Sequence, residues 1–158
     1  IPYNIYKYDK ETLEKRKSLR KASLKYIKSI DEKKISLAGV LLTSNDILKN
    51  CSDIYTTNSF IKSVFSNEKH IIVPVIYCDT NINAIVGTAV LMNRRDGRSI
   101  DFAAYLSEDI PESKLAEELI YTKKARVDPY VYGKLTYENG IHFIKEGEVK
   151  SILLTEEI

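Results

Sequence analysis

The apolar positions along this chain change period, and each change predicts a different kind of element. Between residues 9 and 30, Leu19, Ala22, Tyr26, Ile27 and Ile30 recur at helical spacing and form one stripe. Asp9 is a suitable N-cap, with acidic residues in the first turn where the helix dipole favours them. The first two turns carry a weaker stripe, so residues 1–18 are expected to project as a basic helical extension. The stretch "ISLAGVLLTSND" is apolar without a clear period and fits either a strand or a helix. Ser44, Asn45 and Asp46 can cap a short helix over 45–51. Thr57 or Asn58 can cap another, in which Phe60, Ile61, Val64 and Phe65 make a buried face.

From His70 onward the pattern reads as strands. "HIIVPVIYC" is β-rich, and Pro74 places it at an edge or a bulge. "INAIVGTAVLM" follows, with Gly87 at a bulge or a close backbone approach. The "NRRDG" turn leads into "RSIDFAAYLS". Three strands joined by short turns predict an antiparallel meander. A helix is then expected over 111–124, with Pro111 at its first position, Lys123 and Lys124 near its end, and Leu115, Ala116, Leu119 and Ile120 buried. Asn139-Gly140, between "VYGKLTY" and "IHFI", is a strong hairpin signal, because a type I′ turn needs positive φ at both central residues. Glu146-Gly147 is expected to turn the chain once more, into "EVKSILL". The expected class is α+β: N-terminal helices, an antiparallel meander, one helix, then a second hairpin or meander completing a single sheet. One domain over 1–158 suits the length.

Composition changes little in this picture. The chain is 44% hydrophobic and 29% charged, which is ordinary for a globular protein. No apolar run approaches the roughly 20 residues that cross a bilayer, and no signal peptide is visible. The first residue is Ile1 and not Met, which leaves room for a tag, a leader or a membrane anchor upstream. A cytoplasmic protein or a soluble domain of a larger one fits equally. Residues 7–34 hold eleven Lys or Arg against five Asp or Glu, a local +6; with +2 overall, the remainder carries −4. Such a segment can steer nucleic acid, anionic lipid or an acidic protein. A solvated helix face rich in lysine is the preferred reading, since no aromatic residues interleave with the charges to stack bases.

Decisive motifs are absent. There is no P-loop, no dinucleotide fingerprint and no nucleophile elbow. Cys51 and Cys78 make no disulfide framework, and two Cys with two scattered His do not predict a metal site. No cofactor is implied. Chemistry is expected in two places. Along 99–106, Ile100, Phe102, Ala104 and Leu106 take the core face, while Ser99, Asp101, Ala103 and Tyr105 take a mixed face that is either solvated or lines a pocket. Asp101 is the candidate acid or base there. Cys51, with Asp53 two residues on, is the candidate nucleophile if a partner lowers its pKa. Ser99, Tyr105 and Arg126 are the candidate ligand-binding residues. Among the eleven tyrosines, Tyr130, Tyr132 and Tyr137 decorate the late hairpin, where tyrosine serves either an interface or a half-buried strand.

At "KKARVDPYVYGKLTYENG" the chain resembles the lysine acyltransferases that activate RTX toxins, whose late segment also runs Arg-Val-Asp-Pro, a short gap, then Gly-Lys and a strand. The resemblance spans residues 98–135 and implies an N-acetyltransferase-like fold with Asp101 in the place of the family's catalytic Asp. It departs where that family relies on a His near its N-terminal helices: this chain has no His before His70, and the region between the second and third strands is too short. Two classes of function remain. One is a binding module for a protein or a small ligand, such as a sensor-type domain preceded by a long helix. The other is an acyltransferase-like enzyme, with Asp101 in a pocket beside the helix at 111–124. The binding module is preferred, because no convergent pair of titratable groups can be found.

Overall fold

The computed structural model describes residues 5–6, 35–48, 53–122 and 124–157. The helix expected over 9–30, most of the projecting extension, the basic segment 7–34 and Cys51 lie outside the described residues. The elements are β1 (Ile5–Tyr6), β2 (Ile35–Thr43), β3 (Ile54–Thr56), α1 (Asn58–Phe65), β4 (His70–Cys78), β5 (Asn83–Asn93), β6 (Ser99–Leu106), α2 (Ser113–Tyr121), β7 (Ala125–Glu138) and β8 (Ile141–Glu156).

The expected α+β class is overturned. The described chain is mostly sheet, with two helices of 8 and 9 residues. All eight strands join one sheet in the order β1-β2-β6-β5-β4-β8-β3, with β7 paired to β8. The sheet is mixed: β4 and β3 both run parallel to β8, while the other pairs are antiparallel. It is also curled, so that β2 approaches β7 from the far end of the strand order. Parallel pairing joins residues distant in sequence, so no local pattern announces it.

Both faces of the β2 region are covered. The main core holds Leu37, Leu41, Ala89, Leu91, Ile100, Phe102, Val127 and Ile152, with Phe60 and Phe65 from α1 and Ala116 and Ile120 from α2. A smaller cluster of Ala38, Val90, Met92, Ala103 and Tyr105 lies on the opposite face. Two-sided burial explains why "ISLAGVLLT" has no alternation and still forms a strand. No helix starts at 45–48: Asn45, at φ 67°, turns the chain, and Ile47 bridges to Tyr55.

The last hairpin is longer and simpler than expected. Asn139 and Gly140 have φ of 51° and 82°, the type I′ geometry. Glu146-Gly147 is not a turn: β8 runs straight through it, paired to β7 on both sides. Gly147 serves close approach instead. It lies opposite Gly133, and a Cβ on it would stand 2.1 Å from the carbonyl oxygen of Tyr132. Register shifts on either side, between Tyr130 and Val131 and between Lys134 and Leu135, leave one extra residue each on β8 and increase the local twist.

The other edge of β8 is shared. β3 pairs with His142–Ile144 and β4 with Ile152–Leu154, leaving 145–151 without a strand on that side among the described residues. α1 connects β3 to β4 and packs on β8 across this gap. Its N-cap Thr57 accepts from the Phe60 N–H at 3.1 Å and donates to the Ile144 carbonyl at 2.9 Å. Ser63 completes the bridge: its Oγ accepts from the Gly147 N–H at 2.9 Å, and its one proton is shared between the Phe60 carbonyl at 2.8 Å and the Gly147 carbonyl at 3.1 Å. One hydroxyl thus stands in for a missing strand. Burial of Phe60, Ile61, Val64 and Phe65 holds the helix there, and each such side chain contributes about 1.5–3 kcal/mol.

The second helix begins at Ser113 and ends at Tyr121, inside the expected 111–124. Pro111 and Glu112 form its entry turn, and Leu115 is exposed while Ser113, Ala116 and Ile120 are buried. It packs on the main-core side of β2, β5 and β6.

Replacing Ser63 with Ala strips the Gly147 N–H of its acceptor and removes the proton shared by the Gly147 and Phe60 carbonyls. We expect a loss of about 1–3 kcal/mol in urea unfolding. Ser66→Ala on the same helix is expected to change stability by less than about 0.5 kcal/mol, since its hydroxyl makes only an exposed bond to the Ser63 carbonyl.

Candidate functional site

The residues singled out in the sequence separate into three environments. Ile100, Phe102 and Ala104 face the main core, so Asp101 points to the opposite face of β6. That face is not solvated: Ser99, Ala103 and Tyr105 are all buried. Asp101 itself is mostly buried and bound by Arg94, whose Nη2 donates to Oδ1 at 2.9 Å and whose Nε reaches Oδ2 at 3.4 Å. The fork comes from the turn after β5, which returns Arg94 beside the strand it precedes: its N–H donates to the Ser99 carbonyl at 3.1 Å. Ser99 lies 3.5 Å from the Thr43 hydroxyl, and Tyr105 belongs to the smaller apolar cluster. Since α2 packs on the main-core side, Asp101 and α2 lie on opposite faces of the sheet.

Arg126 opens β7 and pairs with Asp128 on its own strand, Nε to Oδ2 at 2.8 Å. The Asp128 side chain is 6% exposed, and its Oδ1 accepts no hydrogen bond among the described residues. The contact is close but poorly aligned, because Arg126 Nε makes no hydrogen bond that satisfies angle as well as distance. This is the Arg-Val-Asp-Pro segment, and its charges stabilise one another. Asp101 is held by Arg94 and Arg126 by Asp128, so the two candidates are engaged separately. Among the described residues, no group of three or more His, Cys, Asp or Glu could hold a metal, and no helix is long and apolar enough to cross a membrane.

A different surface brings functional side chains together. A groove of about 500 Å³ runs between the end of α1 and the middle of the last hairpin, lined by Ser63, Val64, Ser66, Tyr132, Lys134 and Glu148 among others, over the Gly133–Gly147 pair. The two glycines make a waist in the hairpin, and α1 comes close enough to wall it. Along β7, the segment 130–138 is largely exposed, and among the described residues β7 pairs only with β8. Tyr130, Tyr132, Leu135 and Tyr137 all stand out from it. Their rings are organised. Tyr130 and Tyr132 pack at 5.4 Å with their hydroxyls 3.2 Å apart, Lys150 sits 5.5 Å from the Tyr132 centroid, and Tyr137 packs on His142 at 4.8 Å. Tyr55 and Phe143 extend the aromatic surface on the far side of β8.

The electrostatics of this surface suit recognition. The hydrogen bond between the two hydroxyls, with Tyr132 as its partner, raises the Tyr130 phenol above its ordinary value, and Glu148, 2.7 Å from Lys150, raises that ammonium. Both groups therefore hold their protons at neutral pH, and neither is activated as a nucleophile or base. No protein-family model, curated protein or solved structure matches the chain.

The residues expected from the sequence, Ser99, Asp101 and Tyr105 on β6, Arg126 on β7, and Cys51, do not include those that line this groove. A signal was present. Gly133 and Gly147 lie nearly symmetrically about Asn139-Gly140, so pairing outward from that turn brings them opposite one another once a single bulge is allowed.

Removing Arg126 leaves a buried, uncompensated carboxylate. Arg126→Met is expected to cost about 3–5 kcal/mol in chemical unfolding, while Arg126→Met with Asp128→Leu is expected to recover most of that loss. A double variant no more stable than the single one would show that the pair does more than neutralise itself.

Proposed function

We propose that this chain is a protein-interaction module that takes an extended partner segment along the edge of β7. The observation that carries the reading is the segment 130–138, a strand edge that among the described residues is paired on one side only and is set with three exposed tyrosines and a leucine. A free edge presents backbone N–H and C=O groups in the spacing a further strand needs. Main-chain bonds then supply affinity, and side-chain sites supply selectivity. The groove beside Gly133 is the natural receiver for one partner side chain, walled by Tyr132 and Lys134 and by Ser63 and Ser66 of α1. Tyrosine offers large contact area with few rotamers to freeze, as interface centres require. The enzyme reading has less support, because Asp101 is engaged by Arg94 on the face away from α2.

Selection of random peptides on the whole chain, followed by NMR titration, tests this. Selected peptides are expected to shift the amides of 130–138 and of Ser63, and Tyr132→Ala is expected to weaken them about 30-fold. Peptides that shift only β6 around Asp101, or a library that yields no binder, would contradict the proposal.

A further inference from the structure

We infer that the extended segment on the β7 edge is β7 of a second copy of this chain, paired antiparallel across a two-fold axis through Gly133. The inference rests on the edge-binding reading above and names its occupant. A two-fold interface must be self-complementary, each contact occurring twice. Residues 130–136 meet that condition about Gly133. Pairing outward, Tyr132 falls opposite Lys134 of the second copy, Val131 opposite Leu135, and Tyr130 opposite Thr136. Each pair is favourable on a sheet: a cation beside an aromatic ring, two apolar side chains, and an aromatic beside a β-branched residue.

The neighbouring register is not favourable. Centred on Lys134, it sets one ammonium directly against the other, which destabilises a cross-strand pair. The lysine thus disfavours the register centred on itself relative to the one about Gly133. The charge balance of the hairpin points the same way. Lys145 is paired with Glu138, and Lys150 with Glu148. Lys134 lies opposite Glu146 in the ladder, yet no carboxylate comes within ion-pair distance of it among the described residues. Its charge is left for a partner. Tyr132 already receives Lys150 near its ring, and a second cation would approach from the open edge. Leu135 and Tyr132, each about half exposed at 50% and 53%, would be covered by the same contact.

The test is sedimentation of the whole chain over a concentration series, with Lys134 variants. The wild type is expected to form a reversible dimer. Lys134→Glu and Lys134→Gln are each expected to weaken it about tenfold, two cation–ring contacts being lost per dimer, with the melting temperature of the monomer unchanged. If Lys134→Glu lowers that melting temperature, Tyr132→Ala takes its place with the same expectation. A wild type that stays monomeric to about 1 mM, a dissociation constant too weak to matter, would overturn the inference. So would a dimer indifferent to both variants, or one that Lys134→Gln tightens, which would mark the register about Lys134. A monomer whose 130–138 amides still respond to selected peptides would leave the edge-binding reading standing and remove only the second copy.

Discussion

The hydroxyl of Ser63 ties α1 to the backbone of β8 at Gly147, accepting from its N–H and sharing a proton between its carbonyl and that of Phe60, and the groove is built around that contact. β8 has β7 along one whole edge, and β3 and β4 sharing the other, with residues 145–151 left between them. Backbone groups in such a gap must find partners, because a buried N–H or C=O left unpaired costs about 1–3 kcal/mol. α1 is the segment that joins β3 to β4, so it has to cross this gap. The residue it meets there is Gly147, which has no side chain because the Tyr132 carbonyl on β7 passes 2.1 Å from where its Cβ would be. Hairpin twist, helix position and groove follow from one another.

How much of this was legible depends on whether the cause was local. The cap at Thr57, the buried face of α1 and the positive φ values of Asn139 and Gly140 were all readable, because each rests on residues within a few positions. The alternation in β6 was readable too, and it correctly separates Phe102 from Asp101. What alternation could not tell is that the second face would be covered. Ser99 and Tyr105 look like the wet side of a strand and are buried. The sheet's mixed character was illegible for another reason: β3–β8 and β4–β8 pair residues separated by about half of the chain. Glu146-Gly147 misled because glycine marks both turns and close approaches, and only the ladder across from it distinguishes them.

The candidate site shows the same division. Carboxylates attract attention in a sequence because they can do chemistry, yet Asp101 and Asp128 each have an arginine neighbour that neutralises them. The surface with unspent capacity is made of tyrosines and open backbone. Natural strand edges are usually blunted by lysine, bulges or short length. β7 has one lysine near the middle of its exposed stretch and bulges opposite it on β8, but it is 14 residues long and aromatic. These features bias what can pair there and in which register, without closing the edge.

The central claim is that residues 130–138 of β7 are an open strand edge in the single molecule. Amide hydrogen exchange read residue by residue, at a dilution where sedimentation shows a monomer, tests it most directly. The account expects alternation along this stretch: amides turned toward β8 exchange slowly, and those turned outward exchange nearly as fast as in an unfolded chain. Uniform slow exchange over 130–138 would mean that the edge is already occupied within one molecule, and the binding surface proposed for it would not exist.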